Sequence, residues 1–278
     1  MGTMSLNAEA ILGLLRPWNC AMAAIAVFIG FAVAAGGVNF TQALVPALVS
    51  AFLICGAGHA INDYYDAEID GRISPKKPVP SGRVSKAGAR NLALALFTAG
   101  IAVSLAVNIS AFAIAAVYSA LLFAYSAWMR NYKFAGNWVV AAGTALTLVY
   151  GATITGNYAA VAYLALCALL ANAAREIIKD MQDLGKDKGV KRTLPMLLPR
   201  AAVIATVLLL YCLSLALAFF VWAGGMLHGA LYPPLMAVAA IAFCISSYRV
   251  VNGKFADAQR WSKYAMGIAL LAFLGGVM

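Results

Sequence analysis

Eight of the ten acidic residues in this chain fall in two short windows. Asp63, Asp66, Glu68 and Asp70 make the first, and Glu176, Asp180, Asp183 and Asp187 the second; only Glu9 and Asp257 lie elsewhere. Asn62, Asp66 and Asp70 recur at i, i+4 and i+8, with Asp63 beside them, so a helix would carry them on one face. The second group shares a face through steps of four, three and four residues. Like charges at such spacing destabilise a helix by about a few tenths of a kcal/mol per pair, and apolar surroundings add to the cost of keeping them ionised. A divalent cation removes that repulsion. Carboxylates presented from helices suit Mg²⁺, which keeps part of its water and shares substrate phosphates.

Basic residues are interleaved with these acids. Carboxylates alone would bind a metal; carboxylates with Lys and Arg among them bind a metal together with an anion. Pro75-Lys76-Lys77-Pro78-Val79-Pro80-Ser81-Gly82-Arg83 is stiffened by three prolines and is expected to cap the first group, carrying Lys77 and Arg83 towards phosphate.

The elements that must position these groups are membrane spans. Of the 278 residues 64% are hydrophobic and 11% charged, with a mean hydropathy of +0.86, whereas a soluble domain carries roughly 25% charged residues. Nine apolar segments are expected, near 17–37, 41–62, 89–108, 110–128, 137–156, 158–178, 201–223, 231–249 and 263–278. The sharpest reversals are expected at Asn108 and at Gly156-Asn157, where turn-forming residues stand between spans. With the N-terminus inside, this count puts all 20 Lys and Arg on the cytoplasmic face and none on the other, as the positive-inside rule requires. The formal charge of +10 therefore belongs to one membrane face and calls for no nucleic-acid partner. The expected fold is an all-α bundle of nine transmembrane helices in one domain over 1–278, arranged as two four-helix halves plus one. Cytoplasmic cap loops fall near 63–88 and 179–200, and the C-terminus lies outside. The first apolar run is long enough to remain as a span rather than a cleaved signal. The five cysteines stand singly in apolar stretches and read as small buried hydrophobes.

The motifs resemble a known family. Asn62-Asp63-Tyr64-Tyr65-Asp66-Ala67-Glu68-Ile69-Asp70, followed by Pro75-Lys76-Lys77-Pro78-Val79-Pro80-Ser81-Gly82-Arg83, is similar to the first signature of the UbiA superfamily of intramembrane prenyltransferases. Asp183-Leu184-Gly185-Lys186-Asp187 resembles the second, with Thr193-Leu194-Pro195 downstream, and Arg16-Pro17-Trp18-Asn19 resembles the family's opening. The resemblance implies two Mg²⁺ ions joining the acidic motifs to the diphosphate of a polyprenyl donor whose tail lies in an apolar tunnel. It implies Asn62, Asp63, Asp66, Asp70, Asp180, Asp183 and Asp187 as the metal set, with Asp66, Asp70, Asp183 and Asp187 as the catalytic carboxylates. Arg16, Asn19, Lys77, Arg83, Lys133 and Lys179 are implied on the substrate. Tyr118, Tyr125 and Tyr132 recur at seven-residue steps; such tyrosines are core or interfacial anchors more often than substrate contacts, and Tyr125 is the substrate candidate among them.

The longer strings, with Arg175-Glu176-Ile177-Ile178-Lys179-Asp180-Met181-Gln182-Asp183, look closest to archaeal members that transfer geranylgeranyl to the sn-2 hydroxyl of geranylgeranylglyceryl phosphate. The rival acceptors are aromatic: 4-hydroxybenzoate, or a porphyrin or chlorin. A cation-coupled transporter would place carboxylates near the bilayer midplane rather than at span ends. A CDP-alcohol phosphotransferase would need D-x-x-D-G-x-x-A-R, but Asp70-Gly71 leads into Arg72-Ile73-Ser74-Pro75.

Overall fold

The computed structural model describes residues 8–129, 133–187 and 192–278, with side chains at 8–129, 136–185 and 192–278. Eleven helices account for the described elements: α1 Ala8–Leu15, α2 Pro17–Ala35, α3 Leu44–Ile73, α4 Lys86–Ser104, α5 Ile109–Ala127, α6 Lys133–Ala152, α7 Tyr158–Asp187, α8 Leu194–Leu197, α9 Arg200–Ala223, α10 Tyr232–Val251 and α11 Phe255–Gly275. No β-strand occurs among the described residues. In a hydrocarbon solvent a helix satisfies its own backbone polar groups, which is why apolar spans take this form.

Seven helices (α2, α3, α4, α5, α7, α9 and α10) are long and apolar enough to cross a membrane. The chain is an integral membrane protein of all-helical fold. The expected spans at 137–156 and 263–278 fall on α6 and α11, helices of 20 and 21 residues outside that set of seven. Helix α11 begins at Phe255, so its first turns carry Asp257, Arg260 and Lys263 before the apolar run starts.

The acidic motifs owe their position to length. Helices α3 and α7 each run for 30 residues, about 45 Å at 1.5 Å per residue, against a hydrocarbon core of about 30 Å. Their last turns project past the apolar stretch and carry the carboxylates. The expected reversals are present: Asn108 caps α5 by accepting from the Ala111 N–H at 2.8 Å. Gly156 takes φ +76°, a left-handed conformation suited to glycine, one residue before Asn157.

The chain forms two compact units. The first comprises residues up to Ile25 with Thr41–Trp128. In it α3 packs against α4, where Ser50 Oγ donates to the Gly100 carbonyl at 2.8 Å. A Cβ at Gly100 would lie 2.7 Å from Ile54 Cγ1, so only glycine allows this approach. The second unit comprises Ala26–Phe40 with Met129–Met278. Within it Gly30 and Gly151 let the backbones of α2 and α6 touch: a Cβ on either would strike Leu148 or Val27 main-chain atoms. Small residues at a contact are how helices pack where lipid removes the hydrophobic incentive. In the buried centre of this unit Tyr211 donates to Ser262 Oγ at 2.8 Å, and Ser246 Oγ donates to the Ala258 carbonyl at 2.9 Å. Large apolar side chains such as Phe219, Ile241 and Leu271 point outward, as lipid contact permits.

Candidate functional site

In the first unit the end of α3 buries three carboxylates on one face: Asp63, Asp66 and Asp70 are 1%, 8% and 5% exposed. Burying charge is costly unless it is paired, and the partners come from outside the helix. Arg16 Nη2 donates to Asp63 Oδ1 at 2.8 Å. Lys77 Nζ donates to Asp70 Oδ2 at 2.6 Å and lies 3.8 Å from Asp63 Oδ1. Exposed Glu68 meets Lys86 at 3.2 Å, and the same ammonium sits 5.5 Å from the centre of the Tyr64 ring.

Arg16 reaches Asp63 because the chain breaks between α1 and α2. It has φ +53°, the one non-glycine residue with positive φ among those described. Pro17 disfavours a helical conformation for its predecessor, and a left-handed side-chain-bearing residue costs of order 1 kcal/mol or more. Lys77 is delivered by the proline segment, which closes on itself: Ser81 N–H donates to the Lys77 carbonyl at 3.0 Å and Val84 N–H to Pro78 at 3.0 Å. Pro78 and Val79 are buried, and a Cβ at Gly13 of α1 would lie 3.3 Å from the Pro78 ring.

Arg83, expected towards phosphate, donates instead to Ser81 Oγ at 3.1 Å and to the Lys76 carbonyl at 2.7 Å, holding the strap. Asn62 is half-buried on α3. Asn19 is exposed, its amide 3.4 Å from His59 Nε2. Tyr125 and Tyr118 are both half-buried on α5, within electrostatic range of each other. Tyr65, Phe123 and Trp128 form an edge-to-face series with centroids 6.0 and 6.5 Å apart.

In the second unit the end of α7 carries Glu176, 4% exposed, and Asp180, with no exposed surface; Asp183 is half-buried. Asn137 of α6 donates to Asp180 Oδ2 at 2.7 Å. Arg175 Nη1 donates to Glu176 Oε1 at 2.7 Å and to Asn172 Oδ1 at 3.1 Å, while Asn172 donates to Thr144 Oγ1 at 2.7 Å. Lys179 approaches Glu176 to 3.7 Å. The side chains of Asp187 and Lys133, like the whole of Tyr132, lie outside the described residues. Asn137 and the Thr144–Asn172–Arg175 chain were missed by sequence reasoning; a polar side chain in an otherwise apolar span was the signal available.

Among the described residues no three His, Cys, Asp or Glu side chains gather closely enough to cage a metal by themselves. Magnesium takes one or two carboxylates and completes its shell with water and phosphate oxygens. The donors at both helix ends are carboxylates, hard oxygen ligands of the kind this ion selects. At the end of α3 the Lys77 ammonium stands between two of them, Asp63 and Asp70.

Comparison with known proteins adds to this geometry. The model of the UbiA prenyltransferase family matches residues 23–274. The digeranylgeranylglyceryl phosphate synthase of Methanothrix thermoacetophila is 34% identical over 268 residues, covering 96% of this chain and 98% of that one. The synthase of the same name from Methanopyrus kandleri is 36% identical over 276 residues, covering 97% and 100%. A solved structure described as a digeranylgeranylglyceryl phosphate synthase superposes with a TM-score of 0.81 at 28% identity, over 97% of this chain and 98% of that chain. A UbiA homolog from Archaeoglobus fulgidus, solved with GPP and Mg²⁺, shares the fold at a TM-score of 0.68 and 19% identity, over 94% and 99%.

Proposed function

The chain belongs to the UbiA prenyltransferase family, and from that membership we propose that it transfers a geranylgeranyl group from its diphosphate to the sn-2 hydroxyl of geranylgeranylglyceryl phosphate, a step of archaeal ether-lipid synthesis. The observation that carries the reading is the buried carboxylate face of Asp63, Asp66 and Asp70 with Arg16 and Lys77 set against it. The choice of acceptor is supported by full-length likeness to synthases that bear that name.

Asn62, Asp63, Asp66 and Asp70 on α3, and Asp180, Asp183 and Asp187 on α7, are the metal set in this reading, for two Mg²⁺ ions. Bound there, magnesium supplies charge stabilisation to the departing diphosphate. Arg16 and Lys77 are the diphosphate contacts on α3's side, with Arg83 and Lys133 as further cations and Lys179 as a phosphate contact. Because these groups are fixed before the reaction, they favour the charge that develops as the C1–O bond breaks. The apolar interior protects the allylic centre from water. The sn-2 oxygen then bonds to C1, and its proton passes to the released diphosphate. Tyr125 and Asn19 stand as substrate contacts.

The topology we propose has nine spans in a single prenyltransferase domain of the cell membrane. The N-terminus and both acidic helix ends face the cytoplasm, and the C-terminus lies outside. That is the arrangement that gathers every Lys and Arg on one face.

The test uses the purified full chain in lipid nanodiscs with Mg²⁺, geranylgeranyl diphosphate and each acceptor in turn. The expected product is the digeranylgeranyl ether with release of pyrophosphate. Product with 4-hydroxybenzoate and none with geranylgeranylglyceryl phosphate would sink the acceptor assignment.

A further inference from the structure

On α7 a basic residue stands immediately before each of two acids: Arg175 before Glu176, and Lys179 before Asp180. One residue turns a helix by about 100°. Arg175 and Lys179, four apart, therefore form a basic stripe beside the acidic one. Within the acidic stripe Asp180 is held by Asn137 of α6, while Glu176 pairs with the basic one.

Helix α11 packs against α7 and brings a third cation to the stripe. Lys263 lies in electrostatic range of Arg175, Lys179 and Glu176. The register is fixed by Tyr211, which donates to Ser262, the residue before Lys263, while standing in range of Arg175. Three cations thus stand in range of Glu176. Arg175 engages Glu176 at 2.7 Å with one nitrogen, yet its Nε is buried and has no hydrogen-bond partner. Lys179 keeps 42% of its side-chain surface and approaches Glu176 only to 3.7 Å, and Lys263 is exposed. A buried guanidinium donor left open costs free energy that an anion would recover. A guanidinium fork with two ammonium groups suits the three terminal oxygens of a phosphate monoester.

We propose that Arg175, Lys179 and Lys263 bind the phosphate of the prenyl acceptor. The inference rests on the reading of that acceptor as a lipid phosphate, and it assigns Lys179 to the acceptor rather than the donor. A donor diphosphate needs the metal-bearing acidic faces; the basic stripe, beside the acidic one on α7 and shared with α11, serves a second anion. It also gives a physical reason for selecting a phosphorylated acceptor over a neutral one.

The experiment compares wild type, Lys263→Met and Lys263→Arg as full chains in nanodiscs of zwitterionic lipid. The acceptors are geranylgeranylglyceryl phosphate and geranylgeranylglycerol, which lacks the phosphate. Lys263→Met is expected to raise the KM for the phosphorylated acceptor about tenfold or more, with the donor KM moving less than about twofold, the scale of one lost charged hydrogen bond. The preference for the phosphorylated acceptor over the neutral one falls by the same factor, and Lys263→Arg restores most of it. Calorimetric binding of the phosphorylated acceptor, without Mg²⁺ or donor, should weaken in parallel. Should Lys263→Met fail to insert, Lys179→Gln carries the same expectation. If wild type uses the phosphorylated acceptor but these variants leave its KM unchanged, or move the donor KM equally, the site is wrong and the proposed function stands. If wild type uses no phosphorylated acceptor, the proposed function fails and the site with it.

Discussion

Lys77 donates to Asp70 Oδ2 at 2.6 Å, and the same ammonium stands 3.8 Å from Asp63 Oδ1. A cation from the proline strap thus fills the space between two buried carboxylates one face of α3 presents. An ammonium and a metal ion neutralise the same oxygens there, so the two are alternatives. A metal ion held by Asp63 and Asp70 would take over their neutralisation, and Lys77 would then be available to the diphosphate.

Replacing Lys77 by Met should therefore act in two directions. The KM for geranylgeranyl diphosphate rises about tenfold, as expected for one lost charged contact. Mn²⁺ binding in the absence of donor, followed by electron paramagnetic resonance, tightens because its competitor is gone. A variant that weakens both would show that Lys77 merely props the strap.

Asp66→Ala, Asp70→Ala, Asp183→Ala and Asp187→Ala should each abolish transfer while membrane insertion is preserved. EDTA should do the same to wild type, reversibly on adding Mg²⁺. The assay is pyrophosphate release, with insertion checked by membrane fractionation. Near-normal rates in any two of the four variants would refute the two acidic motifs as the metal set.

Asn137→Ala removes the amide that donates to Asp180, a carboxylate with no exposed surface. Loss of one donor to a buried charged group costs about 1–3 kcal/mol. Thermal unfolding in detergent should shift down accordingly, and kcat should fall with it. Asn137→Asp, which sets carboxylate against carboxylate, should be less stable still in EDTA. A melting curve unchanged in both would mean that the 2.7 Å contact does not matter.

Gly151→Leu should be among the most damaging apolar changes in the second unit. Even a Cβ there would collide with the Val27 carbonyl, so α2 and α6 must separate. Overpacking of this kind costs about 1–3 kcal/mol and sometimes more. The comparison is Gly71→Leu, a helical glycine with open space around its Cβ position; equal losses at both sites would contradict the close approach.

How much of this was legible in the sequence depended on the range of the interaction. Helices α3 and α7 were readable because apolar runs and i, i+4 carboxylates are local patterns, and their overrun past the apolar stretch followed from the same spacing. The turns at Asn108 and Asn157 were readable from turn chemistry. Helix α1 was not expected, since its eight residues are too few to span and are set apart only by the break at Arg16. The site's partners were out of reach for another reason. Arg16 and Asp63 are 47 positions apart, and Asn137 and Asp180 are 43 apart, so no spacing rule joins them. Arg83 shows the converse: its charge and place in the motif pointed towards phosphate, while its hydrogen bonds go to the strap that carries it.

The left-handed backbone of Arg16 has a consequence for anyone selecting improved forms of this protein. Glycine at that position would relax the backbone and leave the α1–α2 break intact, yet would strip Asp63 of its guanidinium. Relaxing the backbone recovers of order 1 kcal/mol, whereas a buried carboxylate left without its partner costs more, so a directed-evolution campaign scored on heat resistance would keep arginine there. Position 16 is where local strain persists because a buried charge depends on it.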